Sequence, residues 1–435
     1  MAKTKTSGND EIDRRNGSQI DDDTRVTIAE RLLLMSLSRD EGVPASLPHM
    51  AHDVALAGAI LIDLEFARRI RIQRGRVELI DWQPTGHGFL DRALQKIHLA
   101  SDPLELGAWL NLLAEDASDL KHAAFESLTD RGLVAIERRK LVSGFEAHFF
   151  PHAKTSGERS LVTRMAHSEA LEPQDVLAVC LAEACGLFEA ILSDKRRRRL
   201  EDRIHQLAAT NSVAEAVIES VAAACRAGRR DAAAAAKQTK NGGKTNNWEW
   251  RAFWSDRQPV ITPGDAAGLD GSAEYKATNV SDRYLLIPER RDNIKLRKNG
   301  LEVKELIESY RHYEAFRPKE VLKFPIEAGD LLRIFPRLHG ALETVSDEAE
   351  LEATLAAHGY VPSRIDVEKV RNRIRLVNDV RLEFCEFTVA GGTYWSACVE
   401  GPDFGRVRNC VHSINPQAGR VMGYMDFLHR VVSDQ

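Results

Sequence analysis

Residues 27–43 read TIAERLLLMSLSRDEGV, residues 55–72 read ALAGAILIDLEFARRIRI, and residues 77–94 read VELIDWQPTGHGFLDRAL. Apolar positions in the first two segments recur at three- and four-residue spacing, which predicts helices. The second helix contains Gly58 and runs out in the basic residues Arg68 and Arg69. A short strand at Val77–Ile80 follows, then a turn around Pro84-Thr85-Gly86, then another helix from Gly88. This order of helix, helix, strand, turn and helix sets the class of the first half.

The same periodicity extends outward. It predicts helices over Thr27–Ser38, His52–Arg69, Gly88–Ala100, Glu105–Glu115, Asp119–Arg131, Gln174–Leu192 and Lys195–Ala208. Gly132 suits the position after a helix, where positive φ is needed. Leu133–Glu137 reads as a second short strand. Residues 1–24 are polar and include Asp21-Asp22-Asp23, so they read as a disordered tail. Residues 227–246 lack large apolar side chains, and Asn241-Gly242-Gly243 should stop any helix, so they read as a linker.

Beyond the linker the pattern changes. Trp248–Trp254, Tyr284–Ile287, Asn293–Arg297, Leu301–Glu308, Arg371–Val377, Val380–Ala390 and Thr393–Gly401 are short, β-branched or aromatic-rich, and partly alternating. They predict antiparallel strands, with one helix at Glu348–His358. The expected architecture is therefore multi-domain. A mainly α-helical domain with short β-hairpins spans 25–226. An α+β domain with an antiparallel β tunnel or barrel spans 247–435.

Composition narrows the function. The 435 residues carry a net charge of −5, which excludes a globally basic nucleic-acid binder but not a local basic patch. No stretch reaches the roughly 18 apolar residues of a spanning helix. Lys3 and Lys5 are followed by no apolar segment, so no signal peptide is expected and the chain reads as cytoplasmic. The six cysteines show no CxxC spacing and read as free thiols. There is no Gly-x-Ser-x-Gly motif, and Asn241-Gly242-Gly243-Lys244-Thr245 lacks P-loop spacing.

Residues 25–225 resemble the Golgi phosphoprotein 3 family. The resemblance rests on Ala55–Ile72, on Pro84-Thr85-Gly86 with Leu90-Asp91 and Ala93-Leu94, and on Leu128 with Gly132-Leu133. It implies a peripheral membrane protein that binds anionic lipid or phosphoinositide head groups. The family's head-group tryptophan falls on Pro48, and its three arginines fall on Ala57, Ser118 and Lys121, so only Lys121 keeps a charge. The helix opened by Lys195-Arg196-Arg197-Arg198-Arg199 supplies a separate basic surface. Near an anionic bilayer each such residue contributes about 1 kcal/mol. A homo-oligomer would multiply that attraction. Val142–Pro151, with Phe145, Phe149 and Phe150, is a second membrane candidate, because the family carries an apolar contact loop there.

In the second half, Asn247, Glu249 and Arg251 alternate on one strand face. Lys295 and Arg297 alternate on another, Lys304 follows an Asn299-Gly300 turn, and Arg371, Arg373 and Glu383 come next. Cys398-Val399-Glu400 closes the series. This order is similar to a degenerate copy of the CYTH, or triphosphate tunnel, family. That resemblance implies a phosphate-binding set of Arg251, Lys295, Arg297, Lys304, Arg371 and Arg373, and a metal pair of Glu249 and Glu400 for Mg²⁺ or Mn²⁺. Asn247 and Cys398 stand where the family has carboxylates, which favours binding of a polyphosphate over turnover. The alternatives are a metal-dependent triphosphate hydrolase and a protein–protein scaffold.

Overall fold

The computed structural model describes residues 26–434 except 39–40, 48–49, 101–103, 154–159, 210–213, 239–245, 258, 265–268, 270–273, 289, 339–343, 377–378 and 418. The predicted tail and Pro48 lie outside the described residues. The chain divides into two compact units. The first holds residues up to 137 together with 149–229, and the second holds 138–148 together with 230–435.

The first unit is helical. It contains α1 (Ile28–Ser36), α2 (Ala51–Phe66), a hairpin of β1 (Ile70–Gln73) and β2 (Arg76–Leu79), α3 (Gly88–Leu99), α4 (Leu106–Glu115) and α5 (Ala117–Asp130). α6 (Leu161–Ala166), α7 (Pro173–Cys185), α8 (Leu187–Ile191), α9 (Asp194–Ala209) and α10 (Glu215–Gln238) follow. Residues 51–64 of α2 are all buried, so this helix is the axis of the unit. Gly58 lets α10 approach it: a Cβ there would lie 2.7 Å from Val221 Cγ2. A carboxylate on α2, Asp63, accepts from the first amides of α1, Ile28 and Ala29, both at 2.9 Å. These amides have no partner within their own helix, so the contact fixes the entry of α1. The Pro84-Thr85-Gly86 turn is tied to α3 by Asp91, which accepts from the Thr85 amide at 2.6 Å and hydroxyl at 2.7 Å.

One boundary differs from expectation. The predicted helix at 174–192 breaks at Gly186, which adopts φ +81° and separates α7 from α8. In the segment read as a linker, α10 continues through Gln238, short of Asn241-Gly242-Gly243. Its run Ala232–Ala236 has no large apolar side chain, but alanine is the strongest helix former.

The second unit is sheet-rich. A hairpin of β3 (Glu137–Lys140) and β4 (Glu146–Phe149) comes from the middle of the first half of the sequence. It is followed by β5 (Asn247–Trp254), β6 (Val260–Ile261), β7 (Lys276–Leu286), β8 (Asn293–Leu296), β9 (Gly300–Lys304), β10 (Leu306–Tyr310), β11 (Tyr313–Phe316) and β12 (Glu320–Lys323). α11 (Ala328–Ile334) and α12 (Glu348–Ala357) lead to β13 (Ser363–Arg375), β14 (Arg381–Val389) and β15 (Gly392–Gly401). α13 (Phe404–Ile414), β16 (Arg420–Val421) and α14 (Tyr424–Ser433) complete it.

The main sheet runs β10-β11-β5-β15-β14-β13-β7-β8-β9-β12, with β16 beside β5, and its pairs are antiparallel. It curls into a half-barrel. One face packs Ile294, Leu296, Leu301 and Val303 beneath α11 and α12. The other packs Phe253, Tyr284, Val367 and Phe387 against Tyr424, Phe427 and Leu428 of α14. The hairpin joins this unit through β4, which pairs in parallel with β6, Glu146 opposite Val260 and Ala147 opposite Ile261.

Candidate functional site

The alternation expected on the strands of the second unit is present. The register sets Glu400 opposite Glu249, Cys398 opposite Arg251, Glu383 opposite Cys398 and Arg373 opposite Glu383. Directly opposed residues share a face. Lys295 faces Tyr284 on β7 and Glu302 on β9. All eight predicted phosphate and metal residues of this unit therefore lie on, or border, one face.

That face is the concave one. Lys304 on β9 places its Nζ 3.2 Å from Glu249 on β5 and 3.6 Å from Glu400 on β15, strands far from it in sheet order. Arg251 reaches over β15 to Glu383 at 3.6 Å, and Arg251 Nη2 donates to Glu249 at 2.9 Å. Arg371 donates to Glu383 at 2.8 Å. These cations pull the carboxyls of Glu249 and Glu383 below the usual range despite burial. Arg373 is half-buried on the same face.

The proposed metal pair does not fit a divalent cation. The Lys304 ammonium lies between the two glutamates, and Asn247 Nδ2 donates to Glu400 at 3.3 Å. Burial keeps the Cys398 thiol protonated, and a neutral thiol is a poor ligand for a hard cation. Among the described residues no group of three His, Cys, Asp or Glu is placed to hold a metal.

Several members of the site were not anticipated. Asp282 accepts from Lys369 at 3.1 Å and Lys295 at 3.4 Å, and Arg297 lies 3.6 Å away. Lys369 also donates to the Tyr284 hydroxyl at 2.5 Å. Its signal was present: Val367, Lys369, Arg371 and Arg373 alternate with Glu368, Val370 and Asn372. The strand was expected to begin only at Arg371, which hid Lys369.

In the first unit, Lys121 is 7% exposed and its Nζ sits 2.5 Å from Asp53. The one charge retained from the family's head-group set is thus committed to a buried ion pair. Beside it, burial and the Lys121 charge hold His52 down to about 4. The basic cluster is arranged differently. Lys195, Arg196, Arg198 and Arg199 are exposed on α9, and Arg197 pairs with Glu189 at 3.2 Å. Leu200, Ile204 and Leu207 seat the other side of α9 in the core.

The apolar loop expected at 142–151 is corrected. Phe149 and Phe150 are buried in the first unit, where Phe150 stacks on Phe125 at 4.3 Å. Phe145 is 1% exposed in the second unit, against Trp254 at 5.4 Å and Phe384 at 4.5 Å. The sequence showed three rings near a hairpin tip and nothing of what they would meet.

Residues 28–224, which hold the central apolar helix, the Asp91-tied turn and the surrounding helices, match the family model Golgi phosphoprotein 3 (GPP34), so this stretch is a domain of that family. Vacuolar protein sorting-associated protein 74 of Schizosaccharomyces pombe is 25% identical over 177 residues, which are 36% of this chain and 52% of that protein. The chain thus spans about half the length of that relative, and the family match includes the 138–148 hairpin but ends before β5. Among the described residues, no helix is long and apolar enough to cross a membrane.

Proposed function

We propose that this protein associates peripherally with anionic membranes through its Golgi phosphoprotein 3 domain, and that its half-barrel binds a phosphorylated anion. The observation that carries the membrane reading is α9. Lys195, Arg196 and Arg197 follow Asp194 in the first turn of α9, with Arg198 and Arg199 just beyond, and near a helix N-terminus cations are disfavoured by about 0.3–1 kcal/mol each. Asp194 and the Arg197–Glu189 pair offset part of that within the fold. An external anionic surface offsets the rest, and the apolar seat of Leu200, Ile204 and Leu207 holds the charges outward. With Lys121 buried, docking is electrostatic and weakly selective among anionic lipids. Association of several copies would strengthen it.

Sedimentation with vesicles containing phosphatidylserine tests this. Arg196→Glu, Arg198→Glu and Arg199→Glu together remove at least about 3 kcal/mol of attraction, so binding should fall roughly a hundredfold. Raising salt from low to physiological should weaken the unaltered protein sharply, because screening shortens the reach of surface charge. Binding to one phosphoinositide isomer that persists in high salt would sink the account.

The anion reading of the half-barrel draws on the tunnel-family resemblance and on chain path. Only Glu305 separates β9, at one side of the sheet order, from β10 at its other end, so the charged face is wrapped by its own strands. Turnover of a triphosphate is the weaker alternative, because Lys304 takes the place between Glu249 and Glu400 that a catalytic metal would need.

A further inference from the structure

The charges on the concave face are unevenly matched. Around β5, three carboxylates (Glu249, Glu383 and Glu400) meet Arg251, Lys304 and Arg371 and, at the solvent side, the half-exposed Arg381, 3.0 Å from Glu400. Around β7, Asp282 meets Lys295, Arg297 and Lys369, and the other carboxylate facing Lys295, Glu302, is shared with Lys319 at 3.3 Å. Asp282 is fully buried and Lys369 is 8% exposed, so water does little to screen that pair, while the Lys295 and Arg297 side chains keep partial contact with solvent. A buried surplus of one sign is costly unless a counter-charge enters or a proton leaves.

We propose that the Asp282 corner is a binding site for a free, multiply charged oxyanion of the phosphate or sulfate type, and that Lys369 takes up a proton as the anion enters. This rests on the anion-binding reading above and adds where the anion sits and how pH controls it.

Lys369 is the group able to give up its proton. Burial and the neighbouring Lys295 charge hold it down to about 7, against the pull of Asp282. Its Nζ lies over the rings of Tyr284 at 4.7 Å and Tyr424 at 4.5 Å. Of the other groups facing it, Lys295 is itself lowered by burial against the pull of Asp282, and the rest keep fixed charge near neutrality. Burial holds both tyrosine hydroxyls well above their usual range and pushes the Cys385 thiol up to about 12. Asp282 is held down to about 2, and Glu383 is also lowered. Arg251 and Arg371 stay charged. An arriving anion favours the ammonium form, so affinity is greatest below pH 7 and falls as pH rises through it.

Calorimetric titration of the full chain with sodium sulfate, at constant ionic strength from pH 6 to 8.5, tests this, because sulfate itself exchanges no proton in that range. Affinity should weaken about tenfold per pH unit above 7. Lys369→Arg should bind sulfate with a flat profile. Lys369→Met should bind as poorly at pH 6 as the unaltered protein does at pH 8.5, with thermal melting confirming that each variant is folded. Vesicles of anionic lipid should not compete with sulfate, and competition would assign the corner to a head group instead. Sulfate binding with a flat profile in the unaltered protein, or an unchanged slope in Lys369→Arg, overturns this inference alone. Failure of both sulfate and tripolyphosphate to bind overturns the anion reading with it.

Discussion

Replacing Phe145 with alanine should destabilise the sheet-rich unit by about 3–5 kcal/mol, the usual loss when a buried phenylalanine is truncated. The ring is sealed between Trp254, edge-on at 83°, and Phe384, and its neighbours are strands that relax poorly into a cavity. The turn before it cannot slide to compensate. Gly144 holds φ +74°, and a Cβ there would lie 2.7 Å from Trp395 Nε1. For a unit of this size the loss corresponds to roughly 10 °C in melting temperature. Hydrogen exchange should lose protection in β5 and β14 while α2 keeps its own. Loss of protection confined to the helical unit, with β5 unchanged, would contradict the assignment of the hairpin.

Lys121→Met should cost the helical unit about 3–5 kcal/mol, because it leaves the Asp53 carboxylate buried beside a neutral His52 with its cation gone. Adding Asp53→Asn should recover much of the loss, since removing both charges leaves no uncompensated ion. Urea denaturation measures both changes. Vesicle binding per folded molecule should stay as it was. A variant of normal stability that no longer binds vesicles would return Lys121 to the lipid surface.

Local pattern made parts of this molecule readable. The apolar helix through Gly58 and the Pro84-Thr85-Gly86 turn announce themselves over short windows, because the periodicity and the turn chemistry are local. The same holds for the tight turn near Asn299, where Lys298 and Asn299 adopt positive φ. Alternation gave Glu249, Arg251, Lys295 and Arg371 before any contact was known. Distance in sequence hid the rest. Lys121 on an amphipathic helix looks like a surface cation until Asp53, far back in the chain, is found beside it. Asp282 stands in NVSDRYLL with nothing local to mark it as the partner of Lys369. Phe145 likewise meets its neighbours only through strands that begin at Asn247.

The hairpin's membership has a consequence for the order in which the chain is made. Phe145 is synthesised about 240 residues before Phe384, the last of its ring partners. At about 5–20 residues per second, that is a wait of roughly 10–50 s. For the part of that interval after residue 229, the helical domain has its own sequence complete, while the hairpin at 138–148 still lacks the sheet that buries it. A shortened gene that stops at residue 224 would make the wait permanent, and one that starts at Asn247 would produce strands whose seat for Phe145 is never filled.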